Sequence, residues 1–291
     1  MAIRHAVVAG QFYPASHGEC TEEISEFIKE ITLPEGLPEQ IAAGIVPHAG
    51  WVFSGKTAAT VFEAIRKKNE RVDTFVIFGA AHSFYGEEPA VYDKGAWQTP
   101  LGQAQIDEDL ARAIVATPAA AASCGSHGYE HSIEVQVPMV QHLFEGAKIV
   151  PVLTPPVEGA VALGEAVGDI IRGQADKRIV CIGSTDLTHY GPRYGFEPQG
   201  VGPEAVRWAK NVNDKEFIDF ALKLDPEKMM KSAAARSNAC GPGAAAATVA
   251  AAKKLGKTTG MLLEHINSNE VMLEKMGQTS QESVGYAAIV F

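Results

Sequence analysis

The chain has 291 residues, with 25 Lys and Arg against 35 Asp and Glu, a formal net charge of -10, and 46% hydrophobic and 21% charged residues. These values are near the averages for globular proteins and argue against disorder, a fibrous role or a membrane role. The negative charge disfavours nucleic acid as a partner, because a polyanion is met by clustered Lys and Arg, and the longest basic runs here are Arg66-Lys67-Lys68 and Lys253-Lys254.

Near the N-terminus, Ala6-Val7-Val8-Ala9 is broken at once by Gly10 and Gln11, so no signal-peptide core is expected, and no apolar run is long enough to span a bilayer. Ser16-His17-Gly18-Glu19 has capping-box spacing, and Ile24, Phe27, Ile28 and Ile31 follow at helical intervals. Ile41 to Val46 reads as a buried strand that stops at Pro47-His48, and Ser54 to Lys68 as the next helix. Val72 to Phe78 repeats the plan, ending in Gly79-Ala80-Ala81-His82-Ser83. Ala90-Val91-Tyr92 and Gly95 to Pro100 suggest a short hairpin, followed by a helix from Asp107 to Ala116.

After the alanine run 119–122 comes Glu130-His131-Ser132-Ile133-Glu134, and then a helical segment in which Pro138 marks a kink or the true start. Lys148 to Leu153 is a further core strand, Ala160 to Arg172 a helix, and Arg178 to Ile182 a strand that opens into Gly183-Ser184-Thr185-Asp186-Leu187-Thr188-His189-Tyr190-Gly191. Val201 to Leu222 and Pro226 to Ala235 read as helices. Cys240-Gly241-Pro242 precedes the alanine-rich stretch 244–252, which places Cys240 beside a helix N-terminus. Met261 to Asn267 and Gly285 to Phe291 close the sheet. No shift in composition marks a boundary, so one α/β domain over residues 1–291 is expected, with a central mixed, mainly parallel sheet flanked by helices.

His48, His82, Asp186 and His189 each follow a strand, so a parallel arrangement would bring them to one sheet edge, where α/β proteins bind ligands. Two histidines and a further ligand suffice for a catalytic metal site with open positions. Cys240 is a candidate for that third place, because a helix N-terminus lowers a thiol's pKa and only the thiolate is a good ligand. In the second cluster, Glu130, His131, Ser132 and Glu134 could provide an acid, a base or hydrogen bonds that orient metal ligands. The alternative is a helix start capped by Ser132. The remaining cysteines Cys20, Cys124 and Cys181 lie far apart, with no C-x-x-C pair, which fits a reducing cytoplasm. The motifs of serine hydrolases, P-loop proteins, zincins and zinc deaminases are absent.

Read together, Arg4 to Pro14, Pro47-His48-Ala49-Gly50, Ser54-Gly55, His82, Glu130 to Gln136, Ser184 to Gly191 and Cys240-Gly241 resemble the Memo family, whose prokaryotic members are called AmmeMemoRadiSam system protein B. The resemblance runs nearly end to end. It implies a fold similar to the class III extradiol ring-cleaving dioxygenases and a metal on His48, His82 and Cys240, with Asp186 and His189 close by. With such a centre Asp186, His189 and His131 are expected to act as acid-base groups, and Glu130, Ser132 and Glu134 to stand behind the ligands. A cysteine stands where those dioxygenases have a carboxylate, and a soft, oxidisable thiolate does not carry ring cleavage over. Trp51 and Phe53 stand where tyrosines are expected in this family.

The resemblance further implies Fe(II) first, with Cu or Zn as alternatives, and association with radical-SAM and AMMECR1-like proteins. The resulting expectation is a redox-active metal protein acting on a small molecule in the cytoplasm. The competing readings are a non-catalytic module that binds a peptide or small ligand in the same pocket, and a zinc-dependent hydrolase.

Overall fold

The computed structural model describes residues 2–83 and 86–291. In chain order its elements are β1 (Ile3–Arg4), α1 (His17–Glu30), β2 (Ala43–Val46), α2 (Trp51–Lys68), β3 (Thr74–Gly79), β4 (Ala90–Val91), β5 (Ala96–Thr99), β6 (Gly102–Gln105), α3 (Glu108–Val115), β7 (Ala121–Ala122), α4 (Val137–Leu143) and β8 (Lys148–Leu153). They continue with α5 (Gly159–Arg172), β9 (Ile179–Ser184), β10 (His189–Tyr190), α6 (Pro203–Trp208), α7 (Lys215–Leu222), α8 (Pro226–Arg236), α9 (Pro242–Lys254), β11 (Met261–Asn267), α10 (Ser268–Met276) and β12 (Ser283–Val290).

Among the described residues nine strands form one mixed sheet in the order β10-β12-β2-β9-β3-β8-β4-β7, with β11 also pairing β12. Its centre, β2-β9-β3-β8, is parallel, and antiparallel β12 and β4 flank it. Every residue of β2, β3 and β9 is buried, as a sheet covered on both faces requires, which is why these strands read as continuous apolar runs. Two glycines show which helix covers which face. Gly44 is paired with Ile182, so Gly44 and the next residue, Gly183, point to opposite sides of the sheet. A Cβ at Gly44 would meet Val61 of α2 at 2.5 Å, and one at Gly183 would meet Thr248 of α9 at 2.4 Å.

The alanine-rich α9 is buried from Pro242 to Ala252 because it is wedged between the sheet and α5. Its small side chains let the backbones meet: a Cβ on Gly164 of α5 would lie 2.1 Å from the Ala247 carbonyl oxygen. Ser16 caps α1 by accepting from the Glu19 amide, but the Glu19 carboxylate takes the Ser16 hydroxyl hydrogen and not the Ser16 amide, so the capping box is only half made; α4 begins at Val137, with Pro138 in its first turn.

Three further expectations need correction. The hairpin is β5 with β6, whereas Ala90-Val91 joins the main sheet beside β8; two short apolar segments with Gly95 between them gave no register. The helix from Val201 to Leu222 starts at Pro203 and widens to a π-helical segment over Ala209–Asp214. A helix, α10, follows β11 with no linker, because Asn267 ends the strand and caps the helix in a capping box with Glu270.

Gly164→Ala should lower stability by about 1–3 kcal/mol, the usual penalty for overpacking. Urea unfolding that left the midpoint unchanged would show that α5 and α9 can separate freely.

Candidate metal centre

Three parallel strands deliver the site. His48 follows β2, His82 follows β3 and Asp186 follows β9, all at the carboxyl ends, where the crevice of an open α/β sheet lies. Asp186 fixes the first loop, since its Oδ1 accepts from the backbone amides of His48 at 2.7 Å and Ala49 at 3.2 Å. Cys240 comes from the other side of the chain. Its segment bridges Leu187 through Ala239, its amide donates to the Asp186 carbonyl at 3.2 Å, and the Gly241 amide donates to the Thr185 hydroxyl at 2.9 Å. Gly241 is obligatory here, because a Cβ would lie 2.5 Å from the Ser184 carbonyl oxygen.

Hydrogen-bond bookkeeping assigns the nitrogen that each histidine presents. The Ser184 hydroxyl donates to the Ser132 carbonyl at 2.7 Å, so its oxygen accepts from Gln136 Nε2 at 3.4 Å and from His48 Nδ1 at 3.0 Å. His48 Nε2 therefore keeps its lone pair, and it faces the Cys240 Sγ at 3.1 Å. Glu130 does the same for His82: its carboxylate accepts from the His82 amide at 2.8 Å, from His82 Nδ1 at 3.0 Å and from the Ser132 amide at 2.9 Å. Histidine backed by a carboxylate or hydroxyl is the usual arrangement behind a metal ligand.

Burial and the neighbouring histidines hold His48 well below the ordinary imidazole range, and burial also lowers His131, so both are neutral donors. Burial works against the charged form of His82, but the Glu130 hydrogen bond and charge outweigh it and its pKa is raised; Glu130 itself is held low by the same pairing despite its burial. Asp186 is raised by burial, with His189 pulling the other way. The expectation of a lowered Cys240 thiol is overturned: burial, then the Asp186 charge, push it well above the thiol range. The helix-terminus argument failed because Gly241, not Cys240, is the N-cap of α9, and the sulfur lies against the Asp186 carbonyl at 3.6 Å.

Among the described residues, two groups of donor atoms could hold an ion. His48, His82 and His131 form one, and His48, Asp186 and Cys240 the other, with the atoms of each group within 4.8 Å of one another. The rings of His82 and His131 stack, with centroids 4.9 Å apart, and His48 stands edge-on to both. A cleft of about 740 Å³ opens onto His48, His82, His131, Asp186 and His189 and is walled by Phe12, Phe53, Tyr194 and Tyr286. His189 Nδ1 lies 3.1 Å from the Leu187 carbonyl, and its Nε2 has no partner among the described residues and lies outside both donor groups.

Of the groups expected behind the ligands, Glu130 and Ser132 are there, and Ser132 makes no helix cap. Glu134 touches no histidine. Its carboxylate is turned into the N-terminal segment, accepting from Arg4 at 2.7 Å and from the Val7 amide, the Val8 amide and the Tyr13 hydroxyl at 3.0 Å each. Arg4 in turn donates to the carbonyls of Glu130 and His127, so Glu134 acts on the site indirectly, through that arginine and the N-terminal segment it holds. Ser184 and Gln136 were not singled out from sequence. The only signal was their place inside the two polar motifs, since a hydroxyl or amide in a loop has no periodicity of its own.

A sequence profile described as "Memo-like protein" matches residues 4–290. A MEMO1 family protein of Pyrococcus furiosus is 38% identical over 296 residues, covering 99% of this chain and 98% of its own length. One of Thermococcus onnurineus is 35% identical, covering 99% of each chain, and one of Methanosarcina mazei is 35% identical, covering 100% of this chain and 99% of its own. Among solved structures, the uncharacterized protein JW3007 of Escherichia coli K12 aligns with a TM-score of 0.52 at 14% identity, over 84% of this chain and 99% of that one, which speaks for the fold alone.

Beneath the site lies His127, fully buried, its Nε2 held by the Ala90 carbonyl at 3.0 Å and its Nδ1 without a partner among the described residues. Burial pulls its pKa down to about 3. The unfolded chain takes up that proton near ~6.5, so the contribution is complete above that pH and is lost as the pH falls towards the folded value. Unfolding free energy should therefore decline across this acid window, and His127→Gln should flatten the decline. An unchanged slope in the variant would remove His127 as its source.

Proposed function

The chain belongs to the Memo family, and from that premise we propose that it is a metal-binding protein with a redox-active centre, iron or copper, acting on a small molecule in the cleft. One observation carries this reading: both strand-end histidines are held through Nδ1, so that Nε2 of each is left free to coordinate. The ion would be held at His48, between His82 on one side and Cys240 on the other. Two imidazoles and a thiol make a borderline-soft set, suited to Fe(II), Cu or Zn and unsuited to Mg²⁺ or Ca²⁺, which want oxygen.

A redox-active ion would supply the electron-transfer or oxygen-binding capacity that no side chain here provides. The protein's own contribution is positional. Asp186 holds the His48 loop and places a carboxylate at the cleft, while neutral His131 lines the same space and His189 stands beside it, imidazoles that can take or give a proton there. Phe12, Phe53 and Tyr286 exclude water from one wall and offer ring surface to an apolar substrate. Four free cysteines and the absence of a described helix long and apolar enough to cross a membrane support a reducing, cytoplasmic setting for such a site.

The His48, His82 and His131 group supports a second reading, a zinc-dependent hydrolase with three histidines and an open position. Anaerobic purification with metal analysis separates the two. Stoichiometric iron or copper, lost in a His48→Ala, His82→Ala double variant that keeps the wild-type circular dichroism, is the expected result. Zinc alone with ester, amide or phosphate hydrolysis would favour the hydrolase, and unchanged metal content in the variant would sink both.

A further inference from the structure

The cleft over the metal centre carries charges that the centre itself does not use. Arg193 is the only Lys or Arg in the described lining of this space of about 740 Å³, and Glu282 is the only carboxylate there besides Asp186. Asp186 belongs to the floor, where it is buried beside His48 and its Oδ1 is taken by the amides of His48 and Ala49. Arg193 and Glu282 are nearer to solvent. Both act on the Tyr194 phenol, the arginine lowering its pKa and the glutamate raising it, so the two charges lie close to the same ring. Neither side chain has an ion-pair partner among the described residues, and they do not pair with each other.

Both groups are held in place by the backbone. The turn Pro192–Tyr194 is closed by the Tyr194 amide, which donates to the Gly191 carbonyl at 3.0 Å, and by the Gly191 amide, which donates to the Phe196 carbonyl at 2.8 Å. Gly191 has a φ of +117°, and a Cβ there would lie 3.0 Å from Cα and Cγ of Glu282, so the glutamate lies along the turn that carries Arg193. From the other side Asn269 of α10 grips Ser280, donating to its carbonyl and accepting from its amide at 2.8 Å each. The hydroxyl oxygens of Ser268 and Ser280 accept from the amides of Val284 at 3.0 Å and Glu282 at 3.1 Å, which leaves their hydrogens to be given to a ligand in the cleft.

A guanidinium and two hydroxyls are donors suited to a carboxylate, and Glu282 is an acceptor suited to an ammonium. One cation beside two carboxylates does not suit a polyphosphate. Phe12, Phe53 and Tyr286 supply apolar wall for the rest of the ligand. We propose that the cleft takes a free amino acid with a large apolar side chain, Arg193 holding its carboxylate and Glu282 its ammonium, while the side chain points down to His48 and His82. The inference rests on the small-molecule reading of the cleft above and names its substrate class. It also fixes which end reacts. The side chain meets the ion at the floor, and the α-carbon stays at the rim with its two charges.

The test compares three probes that share a phenyl ring and differ in charge: L-phenylalanine, 3-phenylpropionate and phenethylamine. Their affinities for the full-length protein, for Arg193→Gln and for Glu282→Gln are measured by calorimetry at one low salt concentration, with metal content determined on the same samples. L-Phenylalanine should bind wild type most tightly. Arg193→Gln should weaken L-phenylalanine and 3-phenylpropionate by roughly tenfold, the scale of one hydrogen bond to a charged group, and leave phenethylamine as it was. Glu282→Gln should weaken L-phenylalanine and phenethylamine to a similar degree and leave 3-phenylpropionate no weaker. Arg193 is exposed and Glu282 half-buried, so neither variant disturbs the core. Either singly charged probe binding as tightly as L-phenylalanine, losses that do not follow the charge of the probe, or no binding of any of the three would overturn the proposal whatever the metal content. Wild type that holds no stoichiometric metal yet sorts the probes by charge would remove the metal-centre reading and leave the amino-acid site.

Discussion

The Ser184 hydroxyl sits fully buried behind His48, and its single hydrogen goes to the Ser132 carbonyl. That one bond orders much of what surrounds it. The serine oxygen is left as an acceptor, His48 must donate through Nδ1, and Gln136, whose amide nitrogen also donates to the Pro47 carbonyl at 2.7 Å, is drawn into the same cluster. Ser184 is the last residue of a central strand, Ser132 lies in the polar turn opposite, and Pro47 precedes the histidine, so three separate segments are registered at one hydroxyl. Leaving such a buried group unpaired costs about 1–3 kcal/mol, and several groups here would lose a partner together.

Behind His82 the corresponding anchor is Glu130, and it is held from below. Arg4 is almost wholly buried and lies over the Trp97 ring at 4.1 Å; it pairs with Glu134 and donates to the carbonyls of Glu130 and His127. Removing one partner of a buried pair strands the other charge, a far larger penalty than the pair's net worth. The N-terminal strap from Arg4 to Tyr13 is thus fastened to the turn that carries Glu130 and His131, while Phe12 on the same strap packs against the His131 ring at 4.8 Å. Conformation at the N-terminus and ring position at the cleft are coupled through these contacts.

Much of this could be read from the chain itself, for a physical reason. Strands buried on both faces show as unbroken apolar runs, and the small residues after each run marked the turns that present His48, His82 and Asp186, all three at one sheet edge. What escaped depends on distance in the sequence. Glu134 sits in the same motif as Glu130, yet it serves Arg4, 130 residues away, and no local pattern distinguishes the two carboxylates. Cys240 lies beside a helix N-terminus as read, but the state of its thiol is set by burial and by Asp186, which only the folded chain brings near. The π-helical segment at Ala209–Asp214 is of the same kind: Asp214 and Asn213 grip Thr188 between Asp186 and His189, a demand from outside the helix.

The central claim is that hydrogen bonds behind the rings present Nε2 of His48 and His82 to one ion. Anomalous diffraction from crystals soaked in an iron or copper salt, recorded on either side of the metal's absorption edge, tests it most directly. The account predicts an anomalous peak at the floor of the cleft, within bonding distance of His48 Nε2, with both Nδ1 atoms still on Ser184 and Glu130. A peak bonded through Nδ1, or metal found only at surface carboxylates, would contradict it.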